Sequence, residues 1–201
     1  TIKVQPGVIS WRNETIGNMY TNARAYATNL NSHMLKNSEW GAVAYLTESK
    51  YGRNGEEVEK NDNSSYITAD AGISVNPEQS STGNETGIYD LSGGAYERVA
   101  AYYNGGSSLS DGSSFANGTS DEFSTAYTGT SASSAYKPGD ATYETSGWHG
   151  DGAYFVDSNR PFFLRGGLYF DGSGAGVFDF YYSSYGGAGD YDSFRMCLAV
   201  K

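Results

Sequence analysis

A glycine- and tyrosine-rich stretch at residues 165–195 limits most strongly what this chain can fold into. Chains rich in Gly and Ser bury too little apolar surface to offset the entropy lost on ordering, so this composition is typical of disorder. Phe178 and Phe180 nevertheless alternate with Asp179, and the stretch closes on the apolar-rich run SFRMCLAV. Because alternation with period two is the pattern of a β-strand, we predict strands and turns here rather than disorder.

The length and charge of the chain limit its class. Its 201 residues suffice for a real core, and we predict a single domain over residues 1–201. Apolar residues make up only 38%, while 18 tyrosines replace aliphatic mass with side chains that tolerate partial exposure. The net charge of −10 argues against a nucleic-acid partner, since phosphate binding requires clustered Lys and Arg.

The cysteine content and the hydropathy of the chain exclude further classes of protein. The single cysteine, Cys197, excludes an internal disulfide framework and a cysteine-rich zinc site. Its position in the apolar run MCLAV predicts a buried, inert thiol. No stretch approaches the roughly 18 apolar residues that a membrane span needs, and no signal peptide is visible. We therefore expect no direct insertion into a membrane.

Apolar spacing predicts two helices in the first quarter of the chain. Over residues 13–31, apolar side chains recur at helical intervals behind a cap at Asn13. These side chains are Ile16, Met19, Tyr20, Ala23, Ala27 and Leu30. A second helix is predicted to start at Asn37 or Ser38 and to stop at Gly52. Its apolar stripe consists of Trp40, Val43, Ala44 and Thr47.

Loops and short apolar segments dominate the rest of the chain. Polar, turn-rich stretches cover residues 53–87 and 104–123, and loops often carry function. After residue 141, the segments GAYFV, PFFLRGGLYF and GVFDFYY alternate with turn residues in the manner of a small antiparallel sheet. The predicted fold class is α+β, with two helices, small antiparallel sheets and long loops.

Sequence motifs for catalysis or cofactor binding are absent. There is no GxxxxGK[ST], HExxH or GxSxG pattern, and neither His33 nor His149 lies in a metal-ligand spacing. Asp190 and Asp192 could share a calcium ion, but two carboxylates in a glycine-rich turn are more often solvated. We predict no catalytic residue, no metal ligand and no cofactor.

Three segments, in this order, resemble the formylglycine-generating-enzyme-like branch of the C-type lectin fold. SEW at residues 38–40, with the helix after it, resembles the family's TEAEWEYAAR, and GIYDLSGGAYERV at residues 87–99 resembles GLYDMxGNVWEWV. RGG at residues 165–167 and SFRMCLAV at residues 193–200 resemble RGGSW and the closing GFRVV. The resemblance covers most of the chain and implies a C-type lectin-like fold.

The same resemblance argues against the oxidase activity of that branch. The enzyme binds copper through two cysteines shortly after its Gly-Gly, and the corresponding places fall near Asp171 and Gly176, which offer no thiolate. The chain is more similar to the variable proteins of diversity-generating retroelements, whose C-terminal segment a mutagenic reverse transcriptase alters at adenines. Altered Asn codons would yield Tyr, Asp, Ser and Gly among others. Gly, Tyr, Asp and Ser make up 20 of the 28 residues from 165 to 192.

This resemblance implies a non-enzymatic ligand-binding domain with a variable, displayed segment at about residues 147–195. Antibody paratopes use a similar set of residues, because tyrosine gives a large contact area at low entropic cost. The expected partner is a protein or glycan on a host or other cell surface. The expected location is a phage virion or a bacterial cell surface.

Alternation assigns the side chains of the segment to two faces. Phe178, Phe180 and Tyr169 are predicted to point to the core, and Leu168, Phe170, Asp179 and Tyr181 outward. The predicted ligand-binding residues are Trp148, His149, Leu168, Phe170, Asp171, Ser173, Asp179, Tyr181, Tyr182, Ser184, Tyr185, Asp190, Tyr191 and Asp192. The predicted hot spots are Phe170, Tyr181, Tyr182 and Tyr185. The residues assigned to the core or to scaffold hydrogen bonds are Trp40, Tyr89, Tyr96 and Arg195.

Other interpretations stay open. A small sheet can accumulate Tyr and Gly through aromatic cross-strand pairs and turns, with no ligand at all. The segment can also be an assembly contact in a virion or surface appendage. An enzyme on the same fold would need a convergent site, for which Asp190, Asp192 and His149 are the candidates.

Overall fold

The computed structural model describes residues 2–3, 5–71, 76–183 and 185–199. Over these residues the protein is α+β, as predicted, with the helices α1 (Ile16–Tyr26), α2 (Asn37–Glu48) and α3 (Ala132–Ala135). The strands are β1 (His33–Met34), β2 (Tyr96–Tyr103), β3 (Thr125–Tyr127), β4 (Phe162–Arg165), β5 (Phe180–Ser183), β6 (Asp192–Phe194) and β7 (Met196–Cys197). The short helix α3 was not predicted from the sequence. No helix in the described ranges is long and apolar enough to cross a membrane.

Helix α1 begins later than its sequence pattern predicts. Asn13 lies outside the helix, with a left-handed φ of 59°. The cap is Thr15, whose hydroxyl accepts a hydrogen bond from the N–H of Asn18 at 3.2 Å. The helix ends at Tyr26, and Thr28–Leu30 forms a separate 3₁₀ turn. Its buried residues include the predicted Ile16, Met19, Tyr20 and Ala23, whereas the predicted Ala27 and Leu30 lie beyond the end of the helix and are half-buried.

Helix α2 starts as predicted and anchors the core through a tryptophan. The N–H of Lys36, just before the helix, donates to the carboxylate of Glu39 at 2.9 Å and so closes the first turn. Trp40 is fully buried and donates its Nε1–H to the carbonyl oxygen of Val177 at 2.7 Å. The helix ends at Glu48, before the predicted stop.

The centre of the main sheet is β2, which the sequence analysis did not assign as a strand. β2 pairs antiparallel with β4, and β4 pairs antiparallel with β5. However, β3 and β6 pair parallel with β2. The prediction of antiparallel sheets is therefore wrong for these two pairs, since neither β3 nor β6 is joined to β2 by a hairpin. The GAYFV segment contributes only an isolated bridge between Ala153 and Phe180.

Both faces of β2 are covered by core residues. Val99 belongs to a buried cluster with Trp40 of α2, whereas Ala100 belongs to a second cluster with Ile16 of α1. Because successive strand residues point to opposite faces, the two helices cover opposite sides of β2. A strand that is buried on both faces needs no polar alternation, and this explains why YERVAAYY shows no strand period.

Candidate binding surface

Two glycines after β4 form a turn at the start of the segment that carries most of the predicted binding residues. Gly166 and Gly167 have φ values of 83° and 74°, in the left-handed region that favours glycine. A Cβ atom at Gly167 would lie 2.5 Å from the Cα of Ala175, so the backbones approach too closely for any side chain. After this turn Leu168 is buried, whereas Phe170 is 60% exposed.

The prediction that Leu168 points outward is wrong. Its side chain is 2% exposed and packs with Tyr66 and Ala95. The reason is the glycine turn, which interrupts the two-residue alternation from which the orientation was predicted. Phe170 points outward as predicted, and Tyr169 is half-buried against the ring of Tyr66.

Four aromatic rings meet around Phe170. Its ring centre lies 4.9 Å from that of Tyr169 and 6.1 Å from that of Tyr191. Tyr66 is the buried member, 5.2 Å from Tyr169 and 6.5 Å from Tyr191. The guanidinium of Arg12 lies 3.8 Å from the centre of the Tyr66 ring, close enough for a cation–π contact.

A second aromatic group forms around Tyr181 in β5. Tyr96 of β2 stacks on Tyr181 at 5.9 Å between ring centres, and Tyr154 meets Tyr181 edge-on at 4.9 Å. Tyr182 lies 4.6 Å from Tyr181, and the guanidinium of Arg160 is 3.6 Å from the Tyr182 ring. Tyr154 is 51% exposed, so this group also reaches the surface.

Hydrogen bonds join the two groups. The hydroxyl of Tyr96 donates to Oδ2 of Asp171 at 2.7 Å, and the same oxygen accepts the N–H of Leu168 at 2.9 Å. The N–H of Tyr96 donates to the carbonyl of Tyr191 at 2.9 Å. Burial and the hydrogen bond to Asp171 raise the pKa of Tyr96, so its hydroxyl stays a donor. We call the joined set the aromatic face: Tyr66, Tyr96, Tyr154, Tyr169, Phe170, Tyr181, Tyr182 and Tyr191.

The prediction that Asp179 points outward is also wrong. Its side chain is 3% exposed, and burial raises its pKa well above the usual range, although the Arg165 guanidinium opposes this. Strand β5 begins only at Phe180, and the N–H of Asp179 bonds to the carbonyl of Gly176 in a turn. Strand alternation therefore does not apply at position 179. Phe178 and Phe180 are buried, as predicted.

Asp190 and Asp192 have different environments. Asp192 forms an ion pair with Arg98, and the two side chains are 13% and 2% exposed. Arg98 also donates to the carbonyl of Gly187 at 2.8 Å, so the pair fixes the loop before β6. Asp190 is exposed, and its carbonyl accepts a hydrogen bond from Arg12. Because Asp192 is committed to Arg98, sharing a calcium ion between the two aspartates is disfavoured.

Trp148 and His149 form a separate patch. The centre of the Trp148 ring lies 5.0 Å from that of Phe178, and Trp148 is 41% exposed. The His149 ring stacks on the same Phe178 ring at 5.9 Å between ring centres, and its Nε2 lies 2.9 Å from Oε2 of Glu48. The turn Trp148–Gly150 contacts the turn Gly172–Gly174, which follows Phe170 of the aromatic face in the chain.

The remaining predicted residues lie at different distances from the aromatic face. Ser173 is exposed within the Gly172–Gly174 turn. Tyr185 is 65% exposed, but among the described residues no ring contact joins it to the aromatic face. Ser184 lies outside the described residues.

The residues assigned to the scaffold behave largely as predicted. Arg195 forms an ion pair with Glu97 and donates to the carbonyls of Tyr89 and Asp90 at 2.9 and 3.1 Å. Trp40 is in the core, as described above. Tyr96 has two roles, because it forms scaffold hydrogen bonds while its ring supports Tyr181.

Sequence reasoning missed four contributors to this surface. Tyr66 lies in a polar loop with a left-handed φ of 58°, and Tyr154 lies in a segment that was predicted as a strand. Arg12 and Arg160 were not singled out at all. The only available signal was that tyrosines and arginines in turn-rich loops often provide contacts, which does not select particular positions.

The described part of the chain contains one group of metal-ligating side chains close enough to share an ion: His33, Glu39 and Cys197. None of the predicted ligand-binding residues belongs to this group. It lies where the β1–β7 pair meets the first turn of α2 rather than on the aromatic face. Cys197 was predicted to be buried but is half-buried, because it borders a cavity.

Comparisons with known proteins assign no family to the chain. No protein-family model matches it, and no curated protein matches it. A functional proposal therefore depends on the surface itself.

Proposed function

We propose that this protein is a non-enzymatic ligand-binding domain that recognises a protein or glycan on a cell surface through the aromatic face. The observation that carries the proposal is that two clusters of contacting aromatic rings, joined by hydrogen bonds through Tyr96, present Tyr154, Phe170 and Tyr191 at the surface, each at least half exposed. Exposed aromatic side chains that cluster in this way are typical of interaction sites. We further propose a C-type lectin-like fold of the retroelement variable-protein branch, on a phage virion or bacterial surface.

The contacts within the aromatic face support binding by a preformed surface. Tyr181 is held between Tyr96 and Tyr154, and Asp171 holds the hydroxyl of Tyr96. Side chains that are already ordered lose little entropy when a partner binds, so more of the contact energy appears as affinity. Large aromatic side chains in such positions are the usual hot spots of interfaces.

The distribution of exposed residues supports a diversified segment. Within residues 147–195, exposed positions such as Phe170 and Tyr191 stand beside buried ones such as Leu168 and Phe180. Substitution at the exposed positions would change which ligand is bound and would leave the packing of the core intact. Gly166 and Gly167 have left-handed φ values that other residues rarely adopt, so we expect them to stay constant.

The diversification part of the proposal is tested by sequencing the gene and its neighbourhood. We expect a near-copy of the DNA for residues 147–195, differing mainly at adenines, beside a reverse-transcriptase gene. The differing codons should coincide with exposed residues and omit Leu168 and Phe180. An intact neighbourhood without such a copy would contradict diversification while leaving ligand binding to be judged by the next experiment.

The binding part is tested by comparing two triple variants on a glycan array and on intact bacterial cells. The first carries Tyr154→Ala, Phe170→Ala and Tyr191→Ala. Since each anchor is expected to contribute about 1–3 kcal/mol, binding should weaken by at least about 100-fold. The control carries Tyr26→Ala, Tyr51→Ala and Tyr143→Ala, which remove three exposed rings elsewhere and should leave binding unchanged.

Equal binding by both triple variants would overturn the assignment of the aromatic face. Sedimentation of the same proteins separates recognition from assembly. Concentration-dependent self-association that only the first variant loses would favour the assembly interpretation instead.

A further inference from the structure

The β1–β7 pair brings together two residues that are far apart in sequence. His33 and Cys197 are directly opposite each other in this antiparallel pair. Glu39, in the first turn of α2, approaches from a third element, with its Oε1 2.7 Å from Nε2 of His33. The three potential ligand atoms, a nitrogen, an oxygen and a sulfur, lie within 4.8 Å of one another.

The hydrogen bonds of His33 determine which of its ring nitrogens faces the cluster. Nδ1 lies 2.6 Å from the carbonyl oxygen of Asn31, and because a carbonyl only accepts, Nδ1 must carry the proton. In a neutral imidazole, Nε2 then presents a lone pair to the carboxylate of Glu39. Two acceptors at 2.7 Å require a cation between them, either a proton or a metal ion.

This arrangement matches the way proteins hold a metal-ligating histidine. Such a histidine nearly always donates its second N–H to a carbonyl or carboxylate, which fixes the ring and its tautomer. The bond from His33 to Asn31 supplies this, and the His33 side chain is only 4% exposed. The ring also packs against Phe123, with 5.3 Å between ring centres, so its orientation is restrained on a second side.

The charges around the cluster are compatible with a divalent cation. A thiolate and a carboxylate neutralise two positive charges, so a loaded site carries no net charge into the protein. Lys36 is the nearby cation, with Nζ 3.9 Å from Oε1 of Glu39. Its ammonium donates to the carbonyl of Glu122 at 2.8 Å, which gives it a partner other than the cluster.

A large cavity adjoins two of the three ligands. Glu39 and Cys197 both line a cavity of about 1100 Å³, together with apolar side chains such as Leu35, Val43 and Leu198. Zinc sites with three protein ligands and a fourth position open to solvent or substrate are the catalytic type, whereas structural sites have four protein ligands. The cavity gives this cluster room for such a fourth ligand.

We propose that His33, Glu39 and Cys197 bind one zinc-type divalent cation, with a fourth coordination position open to the adjoining cavity. The cation takes the place of the proton between Nε2 of His33 and Glu39, and both this proton and the thiol proton of Cys197 leave to solvent as the metal–ligand bonds form. Nitrogen, oxygen and thiolate ligands are those that Zn²⁺ prefers. This site is independent of the aromatic face.

Cobalt substitution tests the proposal directly. Metal-stripped protein titrated with Co²⁺ should bind one equivalent and develop a near-ultraviolet thiolate-to-cobalt band. Since Cys197 is the single cysteine of the chain, that band reports on this site alone. Cys197→Ser should abolish the band, and His33→Gln should weaken Co²⁺ binding by at least about 10-fold.

His149→Gln is the matched control, because it removes the other histidine of the chain. Nε2 of His149 also faces a carboxylate, that of Glu48 at 2.9 Å, but no thiol lies nearby. This variant should leave both the band and the affinity unchanged. Failure of the unmodified protein to bind Co²⁺ with a thiolate band would overturn the proposal without any variant. Equal weakening by His33→Gln and His149→Gln would overturn it as well.

Discussion

Leu168 and Phe170 are two positions apart and have opposite environments. Leu168 is 2% exposed in a cluster with Tyr66, whereas Phe170 is 60% exposed. Leu168→Ala should lower the free energy of unfolding by about 2–5 kcal/mol, because it leaves a cavity. Phe170→Ala should change it by no more than about 0.5 kcal/mol. Urea denaturation of both variants decides this, and equal losses would contradict the assigned orientations.

Asp151 should make the protein less stable as the pH rises. Its side chain is 5% exposed, and burial raises its pKa from 3.8 to about 6. Its Oδ2 accepts the N–H of Phe178 at 2.8 Å, while Oδ1 has no hydrogen-bond partner among the described residues. The folded state therefore binds the Asp151 proton more tightly than the unfolded state does. The stabilisation that this proton gives to the fold is complete below about pH 4 and is lost as the pH rises through about 6.

The variant Asp151→Asn isolates this contribution from those of other groups. Between pH 4 and pH 7, the free energy of unfolding of the variant should fall by about 2–3 kcal/mol less than that of the unmodified protein. Denaturant titrations at both pH values measure it. Identical pH profiles for the two proteins would show that the Asp151 carboxyl is not perturbed.

At the scale of elements, the turn after β4 determines which side chains reach the surface. Gly167 has a φ of 74°, and a Cβ there would lie 2.5 Å from Ala175. Gly167→Ala should cost about 1–3 kcal/mol of stability and displace Tyr169 and Phe170.

Gly174→Ala is the matched control for this turn. It lies on a nearby turn where an added Cβ would meet nothing within 4 Å, and its effect on stability should be within about 0.5 kcal/mol. Thermal unfolding, together with near-ultraviolet circular dichroism of the tyrosines, compares the two. An equal response to both substitutions would contradict the account of the turn.

Elements with a local signal could be predicted, and elements defined by distant contacts could not. The helical spacing of Ile16, Met19 and Ala23 identified α1, because one buried face suffices to define the pattern. β2 is buried on both faces and therefore shows no alternation. Leu168 was misassigned because alternation holds only along a continuous strand, and the turn at Gly167 ends it.

At the scale of the whole molecule, the aromatic face is assembled from separate parts of the chain. Residues 169–191 supply part of it, as the composition suggested, but Tyr66, Tyr96 and Tyr154 come from two loops and the central strand. Their meeting depends on tertiary packing, which no local pattern encodes. Beneath the rings around Phe170, the buried residues Ala95 and Leu168 pack with Tyr66 in a cluster of their own.

The central claim is that residues 147–195 combine a buried scaffold with exposed side chains that folding does not require. The most direct test is a saturation substitution scan of this segment, read by protease resistance of the displayed protein and needing no ligand. We predict that substitutions at Phe170, Asp190 and Tyr191 are tolerated while those at Gly167 and Leu168 are not. If Phe170 and Tyr191 prove as intolerant as Leu168, these rings belong to the core, and the claim of a binding surface is contradicted.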